Sequence, residues 1–236
     1  MSQPFRTGTR YESGIWSGLK LELQNDRILV SSEMLLQTVS SAIHLGGFQH
    51  ASHIVNWKVP LDYSGDRPAD DIVRQLRAWS CEPLRTVGLM TAAKLTHASI
   101  TEHRGDRFNM LCCTTLGTRN AARAGQAREV FSAYEAGTIN TIVLIDGQLT
   151  EAAMVNAIIT ATEAKSAALQ QLGIVEHDTG EIATGTTTDA VVIGVSQRPE
   201  WNAIHAYAGA ATSIGCAIGE AVYATVLEAG RTQHEP

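Results

Sequence analysis

One lysine constrains this chain more than any other residue. Between Asn140 and Val195 a strand-like run, Ile142 to Ile145, leads into a long helix expected from about Thr150 to Leu172. At about 100° per residue, Met154, Val155, Ile158, Thr162, Leu169 and Leu172 share one face, and Lys165 falls near its middle. An ammonium on a buried stripe costs on the order of several kcal/mol unless it is paired or neutralised. Any fold of this chain must therefore bring a partner to Lys165. That partner is either a structural carboxylate, with Asp189 or Asp146 at hand, or a substrate group that the ammonium holds. Snorkelling of the side chain to the rim is the plain alternative.

The helix start is well specified. Thr150 suits the N-cap, Leu149 and Met154 can form a hydrophobic staple, and Glu151 complements the positive helix end. Glu163 sits well round the side. Downstream, the turn Ala183-Thr184-Gly185-Thr186-Thr187-Thr188-Asp189 crowds backbone N–H groups, hydroxyls and one carboxylate into a short span before a strand, Ala190 to Val195. It lacks the GxxxxGK[ST] order and no helix follows it, so the pattern points to a ligand-facing or oxyanion-binding turn rather than a nucleotide loop.

A net charge of −6 and the lack of a basic face argue against nucleic acid as a partner. With 44% hydrophobic and 18% charged residues, a chain of 236 residues can bury a large core without staples. The four cysteines, Cys81, Cys112, Cys113 and Cys216, form no CxxC pair. With no leader pattern at the start, they suggest a reducing cytoplasmic setting, and no apolar run reaches the ~18 residues of a membrane span.

Residues 1–13 show no period and are expected to be a flexible arm. Residues 14–230 would form one domain and residues 231–236 a polar tail. Leu19 to Leu23 and Arg27 to Ser31 flank Asn25-Asp26 as a hairpin. Strands are expected at Ile54 to Val59, Thr86 to Met90, His97 to Glu102 and Asn109 to Thr115, and a helix from Asp71 to Cys81. His44, His50 and His53 surround Gly46-Gly47, but their spacing fits no familiar zinc pattern and no carboxylate lies nearby in sequence, so ordinary histidines are the simpler reading. Gly47 would allow close backbone approach, though a plain turn explains it as well. Thr91 would cap the turn after its strand. Glycines 117, 125 and 137, with Asn120 and Asn140, suit chain reversals around a pocket or mere turns. The final helix passes through Ile214, Ile218, Val222 and Val226. Gly215 and Gly219 suit close helix packing or a homo-oligomer, and Gly230 would end the helix. Strands in series and then alternating with helices give an α/β chain of the α+β type, with a mixed or largely antiparallel sheet and packed helices.

Several of these pieces together resemble the adenosylcobinamide amidohydrolases of the CbiZ type: GTIN at Gly137 to Asn140, TEAAMVNAIITATEAKSAAL from Thr150, and ATGTTTDAVV from Ala183. Looser likeness covers NWKVP, VGLMTAAKL at Val87 to Leu95 and LGTRNAARAG. The resemblance implies hydrolysis of the amide joining the aminopropanol side chain of adenosylcobinamide to the corrin ring. Its products would be adenosylcobyric acid and 1-amino-2-propanol, for cobalamin salvage.

The resemblance assigns no catalytic residues, so chemistry nominates them. Amide hydrolysis needs a nucleophile, donors for the oxyanion and an acid for the leaving amine. Lys165 and the N–H groups around Gly185 would take the carbonyl oxygen, and Glu163 or Asp189 would activate water. Thr184 or Thr186 would be the nucleophile in a covalent route. Asn56, Asn120 and Asn140 would hold corrin amides, with Thr187, Thr188, Gly47 and Thr91 completing the binding set. The sequence demands no cofactor and no metal; the cobalt-containing corrinoid enters as substrate. A non-catalytic corrinoid-binding protein, and a metal-dependent hydrolase using His44, His50 and His53, are the other readings.

Overall fold

A computed structural model describes residues 2–126 and 137–236. In chain order the elements are β1 (Arg10–Glu12), β2 (Leu19–Gln24), β3 (Arg27–Ser40), β4 (Gly47–Lys58), α1 (Pro68–Ala78), β5 (Thr86–Thr91), β6 (Ser99–Arg104), β7 (Asn109–Gly117) and β8 (Ala121–Ala122). There follow β9 (Thr138–Asp146), β10 (Gln148–Leu149), α2 (Glu151–Leu172), β11 (Gly185–Thr186), β12 (Ala190–Val195), β13 (Ile204–His205) and α3 (Ser213–Thr232). Mixed pairing in the main sheet and three α-helices give the expected α+β architecture. No helix among the described residues is long and apolar enough to cross a membrane.

The β2–β3 hairpin turns at Asn25, whose φ of 53° lies in the left-handed region that asparagine tolerates. β3 does not stop near Ser31. Its register with β4 shifts between Ser31 and Leu36, and that irregularity gives the strand two lives. Its first residues pair with β2, and Gln37 to Ser40 pair antiparallel with β12. β4 runs along both halves and then pairs in parallel with β5, with α1 as the crossover. β12 also lies parallel to β9, which pairs antiparallel with β7, and β7 with β6.

This connectivity curls the sheet over itself. On its inner side Leu111, Cys113, Ile142 and Val192 share a core with Leu21, Val30, Ile54 and Leu89. On the outer side α2 and α3 cover Cys112, Val143, Ile145 and Ile193. β9 is buried along its whole length because both its faces are covered, which explains its nearly unbroken apolar run.

Three expectations shift. The arm is packed rather than loose: Ser2 bridges Ile100, Phe5 is 3% exposed in the inner core, and β1 pairs with β2. One aromatic anchor does this, and periodicity cannot register it. α1 begins at Pro68, where a missing N–H costs nothing, and ends before Cys81. The buried face of α2 keeps Met154, Lys165 and Leu169 of the expected stripe but otherwise runs through Ala153, Ala157, Thr160, Ala161 and Ala168, while Val155 is 44% exposed. The expected stripe followed the bulky residues, whereas small alanines let α2 lie close to its neighbours.

α3 shows the same economy. A Cβ at Gly215 would collide with the carbonyl oxygens of Ala208 and Gly209, and one at Gly230 with Leu172, so both glycines serve close approach within the chain. Gly230 accordingly does not end the helix, which continues to Thr232. A Cβ at Gly219 would stand 3.9 Å from Thr160, an ordinary contact. We therefore expect Gly215→Ala to cost about 1–3 kcal/mol in thermal or urea unfolding. Gly219→Ala should change stability by less than about 1 kcal/mol, since the helix propensity gained offsets any crowding. Equal effects of the two substitutions would contradict this packing.

Candidate active site

The turn between α2 and β12 is built around one carboxylate. Asp189 Oδ1 accepts the Ile139 N–H at 3.0 Å and the Thr186 hydroxyl, while Oδ2 accepts the Thr186 N–H at 3.0 Å and the ammonium of Lys165. Lys165, 7% exposed, reaches this carboxylate from the alanine face of α2. Four donors use up the acceptor capacity of Asp189. A Cβ at Gly185 would collide with Asp189 Oδ2 and stand 2.6 Å from Lys165 Nζ, so only glycine lets the turn close over the pair. Asp146, the other potential partner of Lys165, instead meets Arg198 at 3.3 Å and accepts from Ser196 at 2.8 Å.

The same turn is stitched to the start of β9. Asn120 donates to Thr187 Oγ1 at 2.8 Å and to Thr188 Oγ1 at 3.3 Å. The Thr188 hydroxyl donates to the Gly137 carbonyl at 2.7 Å, and the Thr138 hydroxyl to the Thr188 carbonyl at 2.8 Å. Beside them, Asn140 donates to Asn56 Oδ1 at 2.8 Å and to the Met90 carbonyl at 2.9 Å, and Asn56 donates to Thr115 at 2.8 Å. A main-chain carbonyl can only accept, so the Asn140 amide is fixed with its nitrogen toward Met90. Its oxygen is left buried without a partner.

Beside these groups lies a cleft of about 600 Å³, lined by Ser41, Thr91, Thr138, Asn140 and Thr188 together with Ile43, Val59, Leu61, Leu89 and Met90. Thr91 also accepts the Ala93 N–H at 3.0 Å, as a cap would. The lip includes Tyr63, Gly65 and Asp66. Tyr63 donates to Asp71 of α1 at 2.6 Å and meets Trp57 edge-on, which pins the lip. Burial, then that carboxylate, pushes the Tyr63 phenol up to about 12, so it stays protonated at neutral pH.

The structure thus gathers Lys165, Asp189, Thr186, Gly185, Thr187 and Asn120 into one brace, and sets Thr188, Asn140 and Thr91 in the cleft wall with Asn56 behind Asn140. Neither Lys165 nor Asp189 is among the described residues that line the cleft. Three candidates stand apart. Glu163 lies two residues, about 200° of helix, from Lys165 and is exposed. Thr184 accepts the Ala124 N–H at 2.8 Å. Gly47 begins β4, exposed, with a φ of +75° and no atom within 4 Å of its missing Cβ, so it serves a turn rather than a close approach.

Among the described residues no group of three or more His, Cys, Asp or Glu side chains could hold a metal ion. His44 Nε2 contacts the Pro83 carbonyl at 2.9 Å, and His53 contacts Ser52 at 3.0 Å. Cys112 is fully buried, and that burial pushes its thiol up to about 11; burial pushes Cys113 up as well. Sequence reasoning passed over Ser41, Thr138 and the 63–66 lip. Thr138 lay within the quoted GTIN motif, but nothing local marks which of its residues faces a cavity.

Residues 14–236 match the family model described as CbiZ, adenosylcobinamide amidohydrolase. An uncharacterized protein of Methanocaldococcus jannaschii is 30% identical over 211 residues, covering 78% of this chain and 78% of its own length. A protein of Methanosarcina mazei named adenosylcobinamide amidohydrolase is 29% identical over 210 residues, covering 86% of this chain and 94% of its own. Among solved structures, a Pyrococcus horikoshii protein aligns over 94% of this chain and 81% of that one, with a TM-score of 0.46 and 10% identity.

Removing one partner of a buried pair strands the other. Lys165→Met should therefore lower stability by about 3–5 kcal/mol, read by thermal or urea unfolding. Adding Asp189→Asn removes the stranded charge and should recover more than about 1 kcal/mol of that loss. A Lys165→Met protein as stable as the parent would contradict the bracing role.

Proposed function

We propose that this chain, which belongs to the adenosylcobinamide amidohydrolase family, hydrolyses the amide between the aminopropanol side chain and the corrin ring of adenosylcobinamide. The products are adenosylcobyric acid and 1-amino-2-propanol, and the corrinoid acid returns to cobalamin assembly in a cytoplasmic salvage role. The observation that carries the site assignment is the mixed lining of the cleft. Hydroxyls and one oriented amide line it together with apolar side chains. A corrinoid side chain needs that combination, because the amide must be held by polar groups while the macrocycle edge prefers apolar surface.

In this reading the attacking group is water. The hydroxyl protons of Thr138 and Thr188 are committed to main-chain carbonyls. Their remaining lone pairs can accept from water or from the substrate N–H, and among the described residues no side-chain base is bonded to either oxygen to make it a nucleophile. Water adds to the amide carbon, the C–N bond breaks, the amine leaves carrying a proton, and the corrinoid keeps a carboxylate. Asn140, whose amide nitrogen is committed to Asn56 and to the Met90 carbonyl, holds this part of the lining in place. Lys165 and Asp189 spend their charges on each other, so they act as positioning residues that hold Thr188 and Thr138 in the wall. The route uses water and the chain's own groups, with the corrinoid's cobalt remaining part of the substrate.

Incubating the protein with adenosylcobinamide and resolving the corrinoids and amines should show one aminopropanol released per corrinoid acid formed. Recovery of bound but unchanged corrinoid would sink the hydrolase reading in favour of a binding protein, and loss of turnover on chelation would favour a metal-dependent hydrolase. Asn140→Ala should lower kcat/KM by roughly 10- to 100-fold. Unchanged turnover by that variant would remove Asn140 from the site.

A further inference from the structure

The charge balance of the cleft is lopsided. Of the described residues that line it, Asp66 is the one with a carboxyl side chain; Tyr63 is a phenol that burial holds protonated, and the rest are apolar, hydroxyl or amide groups. No lysine, arginine or histidine is among them. Asp66 is exposed at the lip, one residue before Arg67, which meets Asp70 at 3.3 Å and so directs its charge toward α1. The lip itself is held by the Tyr63–Asp71 hydrogen bond, and a Cβ at Gly65 would crowd that pair. A carboxylate is thus presented at the entrance of a cleft that holds no compensating cation among its described lining residues.

The proposed reaction changes charge at this place. Cobalt(III) bound by a monoanionic corrin and a carbanionic adenosyl group makes the amide substrate a cation. Hydrolysis places a new carboxylate on the corrinoid and releases the amine as an ammonium. We propose that Asp66 is the specificity-determining residue of the cleft, a fixed negative charge that favours the cationic amide over the carboxylate product. It attracts the incoming cation, and that attraction is cancelled once the new carboxylate makes the corrinoid neutral overall, which assists release. This rests on the hydrolase reading above, but the charge preference is measurable without turnover.

The test compares parent, Asp66→Asn and Asp66→Lys proteins for kcat, for KM, for inhibition by adenosylcobyric acid and for equilibrium binding of adenosylcobinamide, each at low and at physiological salt. Asp106→Asn is the control. It removes the same charge from an exposed position in the turn between β6 and β7, away from the cleft. An exposed charge acting on a bound ion is worth at most about 1 kcal/mol, or about fivefold. Asp66→Asn should therefore raise KM and the dissociation constant of adenosylcobinamide about 2- to 5-fold, change product inhibition by a smaller factor because the corrinoid acid is neutral overall, and leave kcat within about twofold. Asp66→Lys should raise KM and the dissociation constant further. The parent's affinity should fall with salt, while that of Asp66→Asn should respond less.

Unchanged KM, binding and product inhibition in both variants would overturn the assignment. So would effects no larger than those of Asp106→Asn, or a fall in kcat alone. If the parent released no amine while Asp66→Asn still weakened salt-sensitive binding of adenosylcobinamide, the hydrolase reading would fail and the charge preference would stand.

Discussion

A buried ammonium has to be met, and in this protein the meeting of Lys165 with Asp189 settles much of what surrounds it. The lysine rises from the face of α2 that packs on the sheet, and the carboxylate closes the turn that leads into β12. Because Asp189 also takes the Ile139 and Thr186 N–H groups, one side chain ties the helix, the turn and the first residues of β9 together. Glycine at position 185 is the steric condition for that closure. A pair whose desolvation is repaid only by good geometry is a poor source of net stability but a strong specifier of where its neighbours sit.

The neighbours are what line the cleft. Thr188 stands one residue from Asp189 and Thr138 one from Ile139, and both project hydroxyls whose protons are held by the opposite strand end. The irregularity in β3 matters for the same reason. By letting one long strand pair first with β2 and then with β12, it curls the sheet so that Ser41, the end of β5 and the start of β9 converge on one cleft. Much of the apolar lining, and the lip, come from the β4–α1–β5 crossover, so the cleft forms where two parts of the sheet meet rather than on any single element.

Much of this was legible in the sequence, and the limits have physical causes. The misplaced lysine and the crowded threonine turn were visible because each breaks a local rule, and the cost of an unpaired charge called for a partner, with Asp189 one of the two carboxylates at hand. The α2 N-cap was equally plain, and the Thr150 side chain accepts the Ala153 N–H at 3.1 Å. Periodicity misjudged the buried face of α2, because alanines that set helix spacing weigh little beside valine and isoleucine. It also missed the second half of β3, where the register change interrupts the alternation. Which side of the Asp189 turn opens to solvent depends on long-range curvature, so nothing local marked that Lys165 would be absent from the described residues lining the cleft. Asp66 carried no local signal, since a charged residue in a Gly/Pro-flanked loop looks like any solvated turn.

We place the chemistry on the Thr138–Asn140–Thr188 side of the cleft, with the Lys165–Asp189 pair as its brace. A crystal structure of the protein with adenosylcobinamide bound decides the matter. The N–H of the side-chain amide is expected to donate to the Thr138 or Thr188 hydroxyl oxygen, with the macrocycle edge against the apolar lining residues and the Lys165–Asp189 contact intact. A corrinoid seated elsewhere, or a substrate carbonyl bonded to Lys165 with Asp189 displaced, would contradict it.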